Sequence, residues 1–256
     1  MIFKTLGNPE HPAVLFFHAM GVTGESSLLV AEHLKEEFFV ILPTSTVYCP
    51  NQIYLSKEDE IRQVTEFLNA HHVSRLSMVI ASSLGADLAV AFLHQNTLPV
   101  DHVFFDGGQF AKIPKGLRVI LTPILYLTIK SLYWSKGKTL KRILWCDDAS
   151  IRPYFIEAGK HLTFQNLYRQ LSDSLENRPF PALSEELQQK TFFAFGSIED
   201  HFKYREDVIK SYPEGRFPVF SDYNHMQYQI RDPEGFARML LTIINTGEMP
   251  KLPFLR

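Results

Sequence analysis

The sequence is short of everything that would hold or steer a chain from outside a hydrophobic core. It has two cysteines, Cys49 and Cys146, far apart and in no Cys-x-x-Cys or Cys/His spacing. That argues against a disulfide scaffold and a zinc site, and it fits reduced thiols in a cytoplasm. Charge of one sign is missing too: 26 basic and 28 acidic residues leave a formal net charge of −2. Such a balance supplies no overall field to gather nucleic acid or an anionic membrane. Long apolar runs are absent. The most apolar stretch, Leu117–Leu132, is broken by Arg118, Pro123 and Lys130 and is too short to span a bilayer. Met1–Gly7 lacks the basic head and apolar run of a signal peptide, and no internal repeat appears. The expectation is a cytoplasmic protein with no cofactor, no metal, no nucleic-acid partner and no stable membrane insertion. Oligomeric state stays open.

What is present is the material for one large core. The chain has 256 residues, 45% hydrophobic and 21% charged, ordinary values for a globular domain. Short runs rich in aromatic and β-branched residues, bounded by turn formers, read as buried strands at Val14–Phe17, Phe38–Leu42, Leu76–Ile80, Val103–Phe105, Phe192–Phe195 and Phe217–Phe220. Between them lie helical stripes: Ile61, Val64, Phe67 and Leu68, then Phe236, Met239, Leu240, Ile243 and Ile244. Alternating strands and helices predict an α/β fold, a mostly parallel sheet covered by helices on both faces. The alternation stops over residues 111–190, which are helical in pattern, dense in Leu, Ile, Tyr and Trp, and punctuated by proline. This span is expected to be a helical lid inserted into a core formed by residues 1–110 and 191–256.

The sharpest local signal is Val79-Ile80-Ala81-Ser82-Ser83-Leu84-Gly85-Ala86. An apolar strand runs into Ser83 and straight on into an Ala/Leu-rich helix. A nucleophilic serine on a tight strand-to-helix turn needs small residues two before and two after it, and Ala81 and Gly85 meet that need. Ser82 lacks such flanks. Upstream a strand ends in His18-Ala19-Met20-Gly21; downstream Asp222-Tyr223-Asn224-His225-Met226 follows a strand and precedes the last helix, which Asp232-Pro233-Glu234 should start.

In these motifs and their order the chain resembles the α/β-hydrolase family, whose pattern Gly-x-Ser-x-Gly it departs from at Ala81. The resemblance implies Ser83 as nucleophile and His225 as general base, in the order Ser, Asp/Glu, His. It also implies backbone N–H donors at Met20 and Leu84 for an oxyanion hole. Ala19 replaces a family glycine, and His18 is read as a structural residue of its turn. The acid falls within Gly196-Ser197-Ile198-Glu199-Asp200-His201-Phe202. Counting from Gly196 favours Glu199, whereas the Asp-x-Phe match favours Asp200, which is preferred. Asp106, at the end of an earlier strand, is read as a turn residue. Together these imply a serine hydrolase of small-molecule carboxylic esters, esterase- or lipase-like, with an apolar acyl pocket to which Leu125 and Leu127 of the insertion contribute. Acyl transfer by the same residues, or a catalytically silent small-molecule receptor, are the alternatives.

Overall fold

The structure, a computed structural model, describes residues 1–108, 110, 116–140, 149–176 and 181–255. Its frame is a seven-stranded sheet in the order β1-β3-β2-β4-β5-β6-β7. The strands are β1 (Ile2–Leu6), β2 (Ala13–Phe17), β3 (Phe39–Thr44), β4 (Leu76–Ser82), β5 (Val100–Asp106), β6 (Thr191–Gly196) and β7 (Val219–Phe220). β1 runs antiparallel to β3 and every other pairing is parallel. β7 is shorter than the apolar run Phe217–Phe220 suggests. Pro218 has no N–H to give a ladder, and here its carbonyl only accepts from the Phe195 amide at 3.1 Å.

Alternating side chains divide the core in two, as a half-turn per residue requires. Leu15, Phe17, Val79, Ala81, Val103 and Phe105 pack on one face against α2 (Lys57–Ala70) and α3 (Gly85–Gln95). Val14, Phe16, Met78, Ile80 and Phe104 pack on the other against α1 (Leu28–Ala31) and the last helix, Pro233–Thr246. The ends of these helices are set by local chemistry. Ser56 caps α2 by accepting from the Asp59 amide, and the last helix begins at Pro233 with Asp232 Oδ1 accepting from Gly235 at 2.9 Å.

Between β5 and β6 the described residues form α4 (Leu117–Trp134), α5 (Arg152–His161), α6 (Phe164–Glu176) and α7 (Glu185–Gln189). α4 and α5 pack with the segment after β3 in a separate cluster containing Tyr48, Tyr54, Ile129, Ala158 and Leu162. The chain finishes with α8 (Arg205–Ser211), α9 (Gln227–Arg231) and α10, the Pro233–Thr246 helix. Ala111, where the insertion is expected to begin, and Cys146 lie outside the described residues. Cys49 is buried, its thiol 3.4 Å from the Thr44 carbonyl oxygen.

Phe236 joins α10 to the sheet, fully buried with its ring 5.6 Å from that of Phe104 and 5.4 Å from that of Tyr228. Truncation there leaves a cavity that the surrounding rings cannot close. Phe236→Ala should therefore cost about 3–5 kcal/mol, read from urea unfolding; a loss under about 1 kcal/mol would show that α10 adds little to this face.

Candidate active site

The candidate residues collect at the carboxyl ends of the parallel strands, where open α/β sheets form their crevices. Ser83 follows β4 directly, with φ at 51°, a left-handed conformation that a non-glycine residue holds only under constraint. Its N–H donates to the Asp106 carbonyl at 3.1 Å, and its own carbonyl accepts from Ala86 at 3.1 Å as α3 begins. The small residue two positions on has a visible cause. A Cβ on Gly85 would stand 2.4 Å from the Phe17 carbonyl oxygen and 2.6 Å from that of His18, so only glycine lets α3 start against the end of β2.

His225 lies on the loop after β7. That loop is tied to the one after β6 by hydrogen bonds from Ser197 N–H to Phe220 O (2.9 Å) and from Ile198 N–H to Tyr223 O (3.2 Å). This lacing brings the imidazole between two partners. Nε2 is 2.9 Å from Ser83 Oγ, and Nδ1 is 2.7 Å from Glu199 Oε2. The preference for Asp200 is corrected here. Glu199 is buried and meets the imidazole, whereas Asp200 is exposed at the start of the following 3-10 turn and reaches His225 only through the field of its charge. The reason is the turn itself: Glu199 (φ −81°, ψ 150°) is buried just before the 3-10 turn, and Asp200, which opens that turn, faces solvent.

Burial acts on both partners. It pushes the Glu199 carboxyl up to about 7 and pulls His225 down to about 4, because a low-dielectric surrounding disfavours each charged form. His201 stands edge-on to His225, with ring centroids 4.8 Å apart; burial, and then the neighbouring His225, lower its pKa.

The turn after β2 is fixed by polar contacts. His18 accepts from Ser45 N–H at Nε2 (3.1 Å) and donates from Nδ1 to Ala19 O (2.7 Å). Burial drives its pKa down to about 4, so it is a neutral strut with both nitrogens occupied. Gly21 N–H donates to the Tyr48 hydroxyl at 2.8 Å. Met20 of this turn and Leu84 line one cleft, open to solvent, together with Phe17, Tyr54 and Leu88. The same cleft is bordered by Glu60 and by the Lys57–Asp87 ion pair at 2.6 Å.

Leu125 and Leu127 do not line that cleft. Leu127 is 56% exposed on the outer side of α4, and Leu125 is half-buried against the Tyr48–Tyr54–Ile129 cluster. Because α4 is apolar all round, its pattern carried no information about which side faces in. Sequence reasoning also passed over Gln229, whose Nε2 donates to Asp106 Oδ2 (2.5 Å) and Ser82 Oγ (3.0 Å) beneath the serine turn. Asp106 is thus a buried, held carboxyl rather than a simple turn residue; burial and then the charge of Glu199 push it up to about 7. Nothing in the local sequence marks Gln229, which reaches Ser82 and Asp106 only through the tertiary fold. Among the described residues no group of three His, Cys, Asp or Glu side chains could hold a metal.

No protein-family model and no curated protein matches the sequence. Solved structures do match. An α/β-hydrolase family protein of Desulfitobacterium hafniense aligns at TM-score 0.72 and 16% identity, over 95% of this chain and 100% of that one. A carboxylesterase structure from the thaumarchaeon Nitrososphaera gargenis aligns at 0.71 and 16%, over 96% of each chain. A carboxylesterase of Bacillus subtilis aligns at 0.68 and 14%, over 96% of this chain and 88% of that one. The chain has the α/β-hydrolase fold.

The two acids can be separated by the reactivity of Ser83 towards a fluorophosphonate. Glu199→Gln should slow labelling on the order of a thousandfold, since an amide can select the wrong imidazole tautomer. Asp200→Asn should stay within about threefold, as expected for an exposed charge near the site. The opposite ranking would return the role to Asp200.

Proposed function

We propose that the chain is a serine hydrolase that cleaves small-molecule carboxylic esters through an acyl-enzyme. The observation that carries this reading is the continuous hydrogen-bonded line Ser83–His225–Glu199 at the carboxyl ends of β4, β6 and β7. The carboxylesterases among the structural neighbours support it.

With Glu199 ionised, the carboxylate accepts from Nδ1–H and leaves the Nε2 lone pair facing Ser83. Ser83 Oγ attacks the ester carbonyl as His225 takes its proton. Negative charge develops on the carbonyl oxygen, where the Met20 and Leu84 amides are assigned as donors, worth about 3 kcal/mol each in such sites. Collapse expels the alcohol, which leaves with the proton from His225. Water then gives a proton to the same nitrogen and attacks the acyl-enzyme, releasing the acid and restoring Ser83. The acyl group is assigned to the cleft beside Met20 and Leu84. Its walls at Phe17, Leu84 and Leu88 are apolar, yet the Lys57–Asp87 pair and Glu60 border the same space. A long alkyl chain would have to lie against those charges, so short acyl groups fit best and a lipase-like preference is not part of the reading.

Ser83→Ala removes one oxygen from a half-buried position and should leave the protein folded. Turnover of p-nitrophenyl acetate should fall by on the order of a thousandfold or more. Near-wild-type turnover would take Ser83 out of the mechanism.

The pH profile follows from the dyad. As pH falls through the raised Glu199 value of about 7, the carboxyl becomes a donor to Nδ1, and the imidazole proton moves to Nε2, where it blocks uptake of the serine proton. kcat/KM should therefore climb to its plateau with an apparent pKa near 7 that belongs to the pair. In Glu199→Gln the limb should drop toward the lowered His225 value of about 4, because the anion that favours imidazolium is gone. A limb unmoved by Glu199→Gln would assign the titration to another group.

A further inference from the structure

α4 presents four large apolar side chains to solvent on one side, with Lys130 and Ser131 falling between Leu127 and Trp134. Ile120 is 60% exposed, Ile124 55%, Leu127 56% and Trp134 63%, at spacings of four, three and seven residues that place them on one face. Its opposite face is satisfied without them. Thr122, Ile129 and Leu132 are buried, Ile129 lies over Gly21 of the turn that carries Met20, and Leu132 packs with Ala19 and Val22. A surface helix normally turns polar residues outward, so this outer face is apolar in excess of what folding needs.

Charge tells what covers it. From Gly116 to Leu140 the sequence has four basic residues, Arg118, Lys130, Lys136 and Lys138, and no acid. The balanced total of −2 conceals this local excess. Lys136 and Lys138 are exposed just beyond Trp134. A second copy packed on this face about a two-fold axis would set the lysines against either the same lysines or the Arg118 end of α4, with no acid from this stretch to meet them. An anionic lipid surface answers both features, taking up the apolar side chains and neutralising the lysines. No described helix is long and apolar enough to cross a membrane, so α4 can lie on a bilayer but not span it.

We propose that the outer face of α4 docks on an anionic phospholipid surface, with Ile120, Ile124, Leu127 and Trp134 in the interface and Lys136 and Lys138 on the headgroups. Docking in this pose sets the membrane on the far side of the helix that covers the Ala19–Gly21 turn. It does not depend on the hydrolase reading, because no residue of the Ser83 line takes part.

The test is flotation of the full chain with vesicles of phosphatidylcholine, alone or mixed equally with phosphatidylglycerol. The protein should float with the anionic vesicles and much less with the neutral ones. Trp134 emission should shift to the blue on binding, and Trp134→Phe should remove most of that shift. Lys136→Ala/Lys138→Ala should weaken binding roughly 25-fold, from about fivefold per basic residue at such a surface. Ile124→Ser/Leu127→Ser, at exposed positions that spare the fold, should weaken it about tenfold or more. The proposal is overturned by an absence of flotation with anionic vesicles at low salt, or by binding that neither double variant changes. It is equally overturned by a lipid-free dimer that Ile124→Ser/Leu127→Ser splits, which would assign the face to a second copy.

Discussion

The imidazole of His225 occupies a slot whose floor has no room for one further carbon, and the rest of the site is arranged around keeping that slot open. Its floor is the backbone of Gly107, just past β5, at φ +59°. A Cβ there would stand 2.5 Å from Nδ1 and 3.0 Å from Glu199 Oε2, inside the hydrogen bond that orients the ring. The same economy of space operates at Gly85, where β2 and α3 meet. Main chain therefore comes close enough to side chain for Ser83, His225 and Glu199 to touch, although they are carried by the ends of three different strands. The strained φ of Ser83 persists because β4, the Asp106 carbonyl and the first turn of α3 over-determine it.

Removing water from this slot sets its electrostatics. Glu199 and Asp106 are both buried acids and each is pushed to about 7, while His18 and His225 are held toward neutrality. A region with few fixed charges is one in which a charge developing during reaction is felt strongly. Gln229 fits this logic. By donating to both Asp106 and Ser82 it satisfies buried polar atoms under the serine turn without adding a charge.

α4 serves two surfaces at once. Inward it packs over the Ala19–Gly21 turn through Ile129 and Leu132; outward it offers an apolar strip edged by lysines. A helix with only one apolar stripe could do one of these tasks. Being apolar all round is thus the physical property that joins the interior of the site to whatever the outer face rests on.

The order of strands and helices could be read in the sequence because the signals are local: short apolar runs bounded by turn formers in β2, β4 and β6, and a 3.6-residue period in α2 and α10. So could Ser83, since the steric demand for Ala81 and Gly85 acts within five residues, and the start of α10 at Asp232-Pro233. Three matters were decided only by the fold. Glu199 rather than Asp200 meets His225 because the turn after β6 buries the first and leaves the second exposed, and which one faces inward depends on how the loops after β6 and β7 are laced. Gln229 joins the serine turn from 147 residues away in sequence, a distance over which no pattern carries a signal. Leu127 faces outward because a helix without a polar stripe has no preferred side until Gly21, Ala19 and Val22 are in place to receive Ile129 and Leu132. Local sterics write the elements and the serine turn into the sequence, whereas partner choice is set by packing between segments that meet only in the folded chain.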